Sequence, residues 1–150
     1  MGGIDKGHVG AYVCVFNEDF SEMLLLWRKK EKRDGIEIKG WGNAGGTVES
    51  NETPIQACVR EVREETGIAL KPEGLVPVGL KKAPDASASK WSIYFFAAPI
   101  DGRTDIKLNP ESRGYGWFGR DELPEGTLDT KEEILGWWSL AERAFKISKL

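Results

Sequence analysis

Residues 46–68 read GTVESNETPIQACVREVREETGI, and this stretch decides the fold. It opens on a glycine, crosses a polar turn and then carries a complete helix signature. Thr53, Pro54, Ile55 and Gln56 match a capping box, with threonine as N-cap, proline at the first helical position and glutamine at the third. Gly67 supplies the stop, because a residue without a Cβ takes positive φ at low cost. The spacing predicts a helix over Pro54–Thr66, with Ile55, Cys58, Val59 and Val62 as its apolar face.

The charged face of this helix holds Arg60, Glu61, Glu64 and Glu65, and Glu52 stands just before the cap. Residues three and four apart are neighbours on a helix, so Glu61 faces both Glu64 and Glu65, and Arg60 reaches Glu64. Carboxylates gathered in one patch repel one another unless a positive charge joins them. All-oxygen ligands of this kind suit Mg²⁺ or Mn²⁺, and the lack of nearby His or Cys argues against zinc. An ordinary solvated helix face is the alternative, with Arg60–Glu64 as a plain surface pair.

Outward from the helix, residues 9–16 (VGAYVCVF) and 23–27 (MLLLW) read as strands separated by a polar turn. Residues 28–35 (RKKEKRDG) read as a charged hairpin loop, from which Arg28 or a neighbour could contact phosphate. A short strand over 36–39 leads to Trp41 and a glycine-bearing loop, 42–46. Beyond the helix, 75–82, 92–98 and 114–118 read as strands, with Pro84 and Asp85 in a polar loop between the first two. Residues 129–146 form a closing helix, with Asp129 and Glu132 as its cap pair and Ile134, Trp138, Ala141 and Phe145 at helical spacing. The order of elements implies an α+β fold, a mixed sheet with helices on both sides.

Composition narrows the function classes. The 150 residues suit one domain, expected to span 1–150, and 40% hydrophobic with 30% charged residues fits a packed core. A net charge of −3 excludes the basic footprint of broad nucleic-acid binding. It leaves a small anionic partner open, because a metal ion can supply positive charge locally. No apolar run approaches the roughly 18 residues of a membrane span, and residues 1–10 show no secretory signal. Cys14 and Cys58 lie among apolar neighbours and read as buried thiols, which implies a reducing, cytoplasmic setting. A homodimer is left open.

With Gly46, five residues, Glu52, seven residues, then Arg60-Glu61-Val62-Arg63-Glu64-Glu65-Thr66-Gly67-Ile68, the chain resembles the Nudix (MutT-like) hydrolase family. The match to the Nudix box is gapless: seven fixed identities and two apolar positions agree. The likeness extends more loosely over residues 9–125, through the strand ending at Arg28, through Trp41 ahead of the glycine pair, and through Trp117-Phe118 followed by Glu122-Leu123-Pro124. Two positions depart from the pattern: Ala44 stands where proline is usual, and Asn51 where glycine is common. Asparagine tolerates positive φ better than most residues, so the loop is expected to survive.

The resemblance implies an α/β/α sandwich and Mg²⁺-dependent hydrolysis of a diphosphate linkage in a nucleoside diphosphate derivative, with Mn²⁺ able to substitute. It implies Glu61, Glu64 and Glu65 as metal ligands, with the Gly45 or Gly46 carbonyl beside them. Glu52 would assist through water, Arg60 would orient a ligand glutamate, and Arg28 would contact substrate. The general base is a box glutamate or an acid on a later loop such as Glu111, which also reads as a solvated loop residue. His8 is the one histidine and sits near the terminus. The six tryptophans read as core or rim, with one or two available to stack on a base. A Nudix domain that binds nucleotide without cutting it is the alternative, although such domains usually lose box glutamates. The isopentenyl diphosphate isomerase branch would need a cysteine and a histidine cluster. For substrate, Pro84 lies near a proline of ADP-ribose-cleaving members, and it also reads as simple loop punctuation; oxidised or ordinary triphosphates and nucleotide sugars stay open.

Overall fold

The computed structural model describes residues 8–31, 37–101 and 105–147. In chain order the elements are β1 (His8–Phe16), β2 (Glu22–Glu31), β3 (Glu37–Gly42), β4 (Ala44–Thr47), α1 (Pro54–Thr66), β5 (Val76–Lys82), β6 (Trp91–Pro99), β7 (Ser112–Gly119) and α2 (Lys131–Ile147). Short 3₁₀ turns lie at Pro72–Gly74 and Arg120–Glu122.

β1 and β2 are apolar on both faces because a helix covers each face. Ala11, Val13 and Val15, with Leu24 and Leu26, pack into one core with Ala57, Cys58 and Val62 of α1. The alternate residues Cys14, Phe16, Met23 and Leu25 pack into a second core with Ile134, Trp137, Trp138 and Ala141 of α2. The result is an α/β/α sandwich around a mixed seven-stranded sheet, in the order β3-β2-β1-β6-β5. β1 and β6 run parallel, β4 pairs antiparallel with β1, and β7 pairs antiparallel with β2. Among the described residues no helix is long and apolar enough to cross a membrane.

Four local expectations change. First, residues 28–31 are not loop: β2 runs on to Glu31, paired with β3, and Arg28 is buried. Second, the glycine-bearing loop is largely strand, since Ala44, Gly45 and Gly46 pair with Val13, Tyr12 and Ala11. Third, Thr130 and Glu133 cap α2 in place of Asp129 and Glu132: Thr130 N–H donates to Glu133 Oε1 at 3.0 Å, and Glu133 N–H to Thr130 Oγ1 at 3.1 Å. The shift of one residue frees Asp129 for another contact. Fourth, Asn51 has no positive φ; among the described residues the only non-glycine that does is Phe20. The strand expected over 36–39 begins at Glu37, and Ile36 lies outside the described residues.

Candidate active site

α1 is fixed at both ends, so the angular positions of its glutamates are fixed too. Thr53 Oγ1 accepts from Gln56 N–H at 3.1 Å, and Thr53 N–H donates to Gln56 Oε1 at 2.9 Å. At the other end Gly67 sits at φ 80° and donates its N–H to Arg63 O at 2.9 Å. The helix packs against β4 and β1, and its Glu65 and Arg60 side chains meet the backbone of β4.

Glu65 is the innermost of the acids, with 0% exposure. Gly45 N–H donates to its Oε1 at 2.8 Å, and Arg28 Nη2 donates to its Oε2 at 2.9 Å. Arg28 also donates to Asn43 O at 2.7 Å and Gly45 O at 3.2 Å, and lies over the Tyr12 ring. One buried guanidinium thus ties β2, the β3–β4 junction and α1 together. Burial pushes the Glu65 carboxyl up to about 7; Arg28 and the Gly45 amide oppose this, while Glu61 and Glu111 add to it.

Arg60 organises the outer side. It grips Glu52 with two hydrogen bonds of 2.8 Å, donates to Glu61 Oε1 at 2.9 Å and to Thr47 O at 3.1 Å. The paired hydrogen bonds from Arg60 hold the Glu52 carboxyl down at about 2, helped by the Glu49 amide. Glu64 is set apart: its side chain is 54% exposed, and its carboxylate lies 3.4 Å from Arg60. Gly46 makes room for Glu61, because a Cβ there would stand 2.7 Å from Glu61 Oε1.

Carboxylate oxygens of Glu61, Glu65 and Glu111 lie within 4.8 Å of one another. Glu111 arrives from just ahead of β7, its N–H donating to Asn109 Oδ1 at 3.1 Å, and its carboxylate stands 3.9 Å from Arg28. Three acids whose cationic partners are Arg28 and Arg60 leave excess negative charge, which suits a divalent cation bound by oxygen. This donor set fits Mg²⁺ or Mn²⁺.

Beside the cluster lies a cavity of about 290 Å³. Its lining includes Tyr12, Arg28, Asn43, Phe95, Leu128 and Asp129. Arg28 is common to both: it lines the cavity and pairs with Glu65.

The structure brings together Glu61, Glu65, Gly45, Gly46, Arg28 and Glu111, keeps Glu52 and Arg60 at the rim, and leaves Glu64 outermost. His8 is exposed at the start of β1. Pro84 is exposed in a turn closed by Ser87 N–H to Pro84 O at 2.9 Å. The aromatic residues of the cavity are Tyr12 and Phe95 rather than any tryptophan. Sequence reasoning missed Tyr12, Asn43, Phe95 and Asp129, which come from four separate segments with no common spacing. Only Asp129 carried a local signal, and that signal resembled a helix cap.

Known proteins share the sequence pattern and the fold. The sequence model of the NUDIX domain matches residues 6–138. An ADP-ribose pyrophosphatase of Methanocaldococcus jannaschii is 30% identical over 127 residues, 85% of this chain and 72% of that protein. An 8-oxo-dGDP phosphatase of Mus musculus is 31% identical over 114 residues, 75% of this chain; the chain spans only 32% of that longer relative. Among solved structures, a MutT Nudix hydrolase from Burkholderia pseudomallei superposes with a TM-score of 0.66 at 26% identity, covering 87% of this chain and 95% of that one. Box, fold and relatives converge: this chain belongs to the Nudix hydrolase family.

Proposed function

We propose that residues 1–150 act as one Nudix domain that hydrolyses a diphosphate linkage in a nucleoside diphosphate derivative. The products would be a nucleoside monophosphate and the other phosphorylated half. The observation that carries this reading is the convergence of Glu61, Glu65 and Glu111 beside a cavity that shares Arg28 with them. The cluster is suited to the diphosphate end of a substrate, and the cavity to its nucleoside end, with Tyr12 and Phe95 as apolar surfaces.

Mg²⁺, with Mn²⁺ as substitute, would be held by Glu61 and Glu65, with Glu111 and the Gly46 carbonyl beside them. When bound, such an ion neutralises phosphate oxygens and lowers the pKa of a coordinated water. The chain's own residues do the rest. Arg28 and the Gly45 amide hold Glu65 in place, and Arg60 holds Glu61, itself steadied by Glu52. Glu111 is exposed enough to exchange protons with solvent and close enough to the cluster to take one from an attacking water. Glu64, at the rim, contributes charge and a contact to Arg60. Arg28 borders the substrate space but spends its hydrogen bonds on the protein, so its part is to position Glu65. Both cysteines are buried free thiols, in keeping with a reducing, cytoplasmic setting.

The relatives named above suggest ADP-ribose and oxidised guanine nucleotides as first substrates to try, and Pro84 adds a slight lean towards ADP-ribose. The test is a panel of ADP-ribose, nucleotide sugars and ordinary and oxidised nucleoside di- and triphosphates with Mg²⁺, assayed for released phosphate or monophosphate. At least one should be cut. Binding of nucleotides without release of product from any of them would favour the non-catalytic reading instead.

A further inference from the structure

Residues 126–130, between the Arg120–Glu122 turn and α2, form one wall of the cavity through Leu128 and Asp129. This strap is fastened on three sides. Towards β3, Trp41 N–H donates to Gly126 O at 2.9 Å and Leu128 N–H donates to Trp41 O at 2.8 Å. At its end Thr130 caps α2. The third fastening is ionic. Lys81 on β5 donates to Asp129 Oδ1 in close contact, and its Nζ lies 3.0 Å from Glu133 Oε2 in the first turn of α2.

The same ammonium sits over aromatic faces. Its Nζ is 5.7 Å from the ring centroids of both Phe95 and Trp137, and those rings stack on each other at 3.9 Å. Phe95 also lines the cavity. An exposed lysine–carboxylate pair is worth little, because two flexible side chains must be ordered in high dielectric. Here the stem is partly buried, and two carboxylates and two ring faces fix one charge in one place. Gly79 belongs to the arrangement: a Cβ there would collide with the Trp137 indole. The family's box plays no part in any of this.

We propose that Lys81 is a substrate-positioning residue, which clamps the 126–130 strap to the Phe95–Trp137 stack through Asp129 and Glu133 and so sets the width of the cavity. It touches the wall, not the substrate. What the cavity holds rests on the hydrolase reading above; the clamp itself does not. Lys81 therefore governs how tightly the nucleoside end is seated and leaves the carboxylate cluster unaffected.

The experiment compares wild-type protein with Lys81→Met and Lys81→Arg in two measurements. Amide hydrogen exchange reads the strap directly: in Lys81→Met, protection over 126–130 should fall by about tenfold while α1 is unchanged, the scale expected when charged hydrogen bonds are lost. Kinetics on whichever panel compound the wild type cuts should show KM raised by about tenfold with kcat within about twofold, the pattern of lost uniform binding. Lys81→Arg, which keeps the charge, should recover most of both. Unaltered strap protection in Lys81→Met overturns the clamp, and so does a fall in kcat at unchanged KM. If the wild type cuts nothing, the hydrolase reading fails and the exchange measurement alone decides the clamp. Should Lys81→Met not fold, Glu133→Gln removes one arm, and the same strap must lose protection to a smaller degree.

Discussion

At the scale of single residues, the three glutamates of α1 and Glu111 beside them differ more in environment than their closeness suggests. Glu65 is enclosed with both oxygens hydrogen-bonded, Glu61 lies under Gly46 and against Arg60, Glu111 approaches from another element, and Glu64 faces solvent. Glu61→Gln and Glu65→Gln should each lower turnover by about 10²-fold or more if their charge holds the metal, whose stabilisation of phosphate charge is worth several kcal/mol. Glu64→Gln should cost the least of the three, since its carboxylate stands outside the cluster. Steady-state kinetics on the three folded variants checks the order, and a Glu64→Gln loss equal to that of Glu65→Gln would remove the distinction. The box was readable from the chain; the ranking inside it was not. Spacing places three glutamates on one helix face, but which of them turns inward depends on Arg28 and Gly45, both far away in sequence.

At the scale of elements, α1 was readable because its signals are local. Thr53, Pro54, Gln56 and Gly67 act within a few residues of the ends they fix, and the helix has the expected bounds. β4 was not readable, because Ala44-Gly45-Gly46 has no side-chain alternation and becomes a strand only by pairing with β1. The extension of β2 was hidden in the same way: Arg28 looks solvated until Glu65 is placed opposite it. The connection from β4 into α1 is stapled by Glu52, whose carboxylate holds Arg60 while Arg60 reaches back to Thr47 O. This staple carries a pH signature. Hydrogen bonds from Arg60 depress the folded-state pKa of Glu52 to about 2, below its unfolded value. A depressed carboxylate contributes stability that is fully present above the unfolded pKa and is lost as pH falls through the folded one. The gap in urea midpoint between wild type and Glu52→Gln should therefore be constant above about pH 5 and narrow from about pH 4 downward. A gap that stays constant or widens in acid would show that the ionised Glu52 is not what the staple depends on.

At the scale of the whole molecule, one sheet serves two cores, and the candidate site lies where elements from both meet. Alternate residues of β1 and β2 divide between the α1 core and the α2 core, a division already implied by their unbroken apolar runs. The cavity is the part no local reading reaches: Tyr12, Asn43, Phe95 and Asp129 come together only when β1, β6, the β3–β4 junction and the strap before α2 are assembled. Asp129 shows the difficulty well, since a one-residue error in the α2 cap turned a cavity residue into a helix cap. On the reading proposed above, a carboxylate cluster built by tertiary structure would hold a divalent cation, and the chain would thereby cut a diphosphate. The most direct test is turnover of the best panel substrate in excess chelator, followed by addition of Mg²⁺ or Mn²⁺. Activity should vanish with chelator and return with either ion, whereas full turnover in excess chelator would contradict the account.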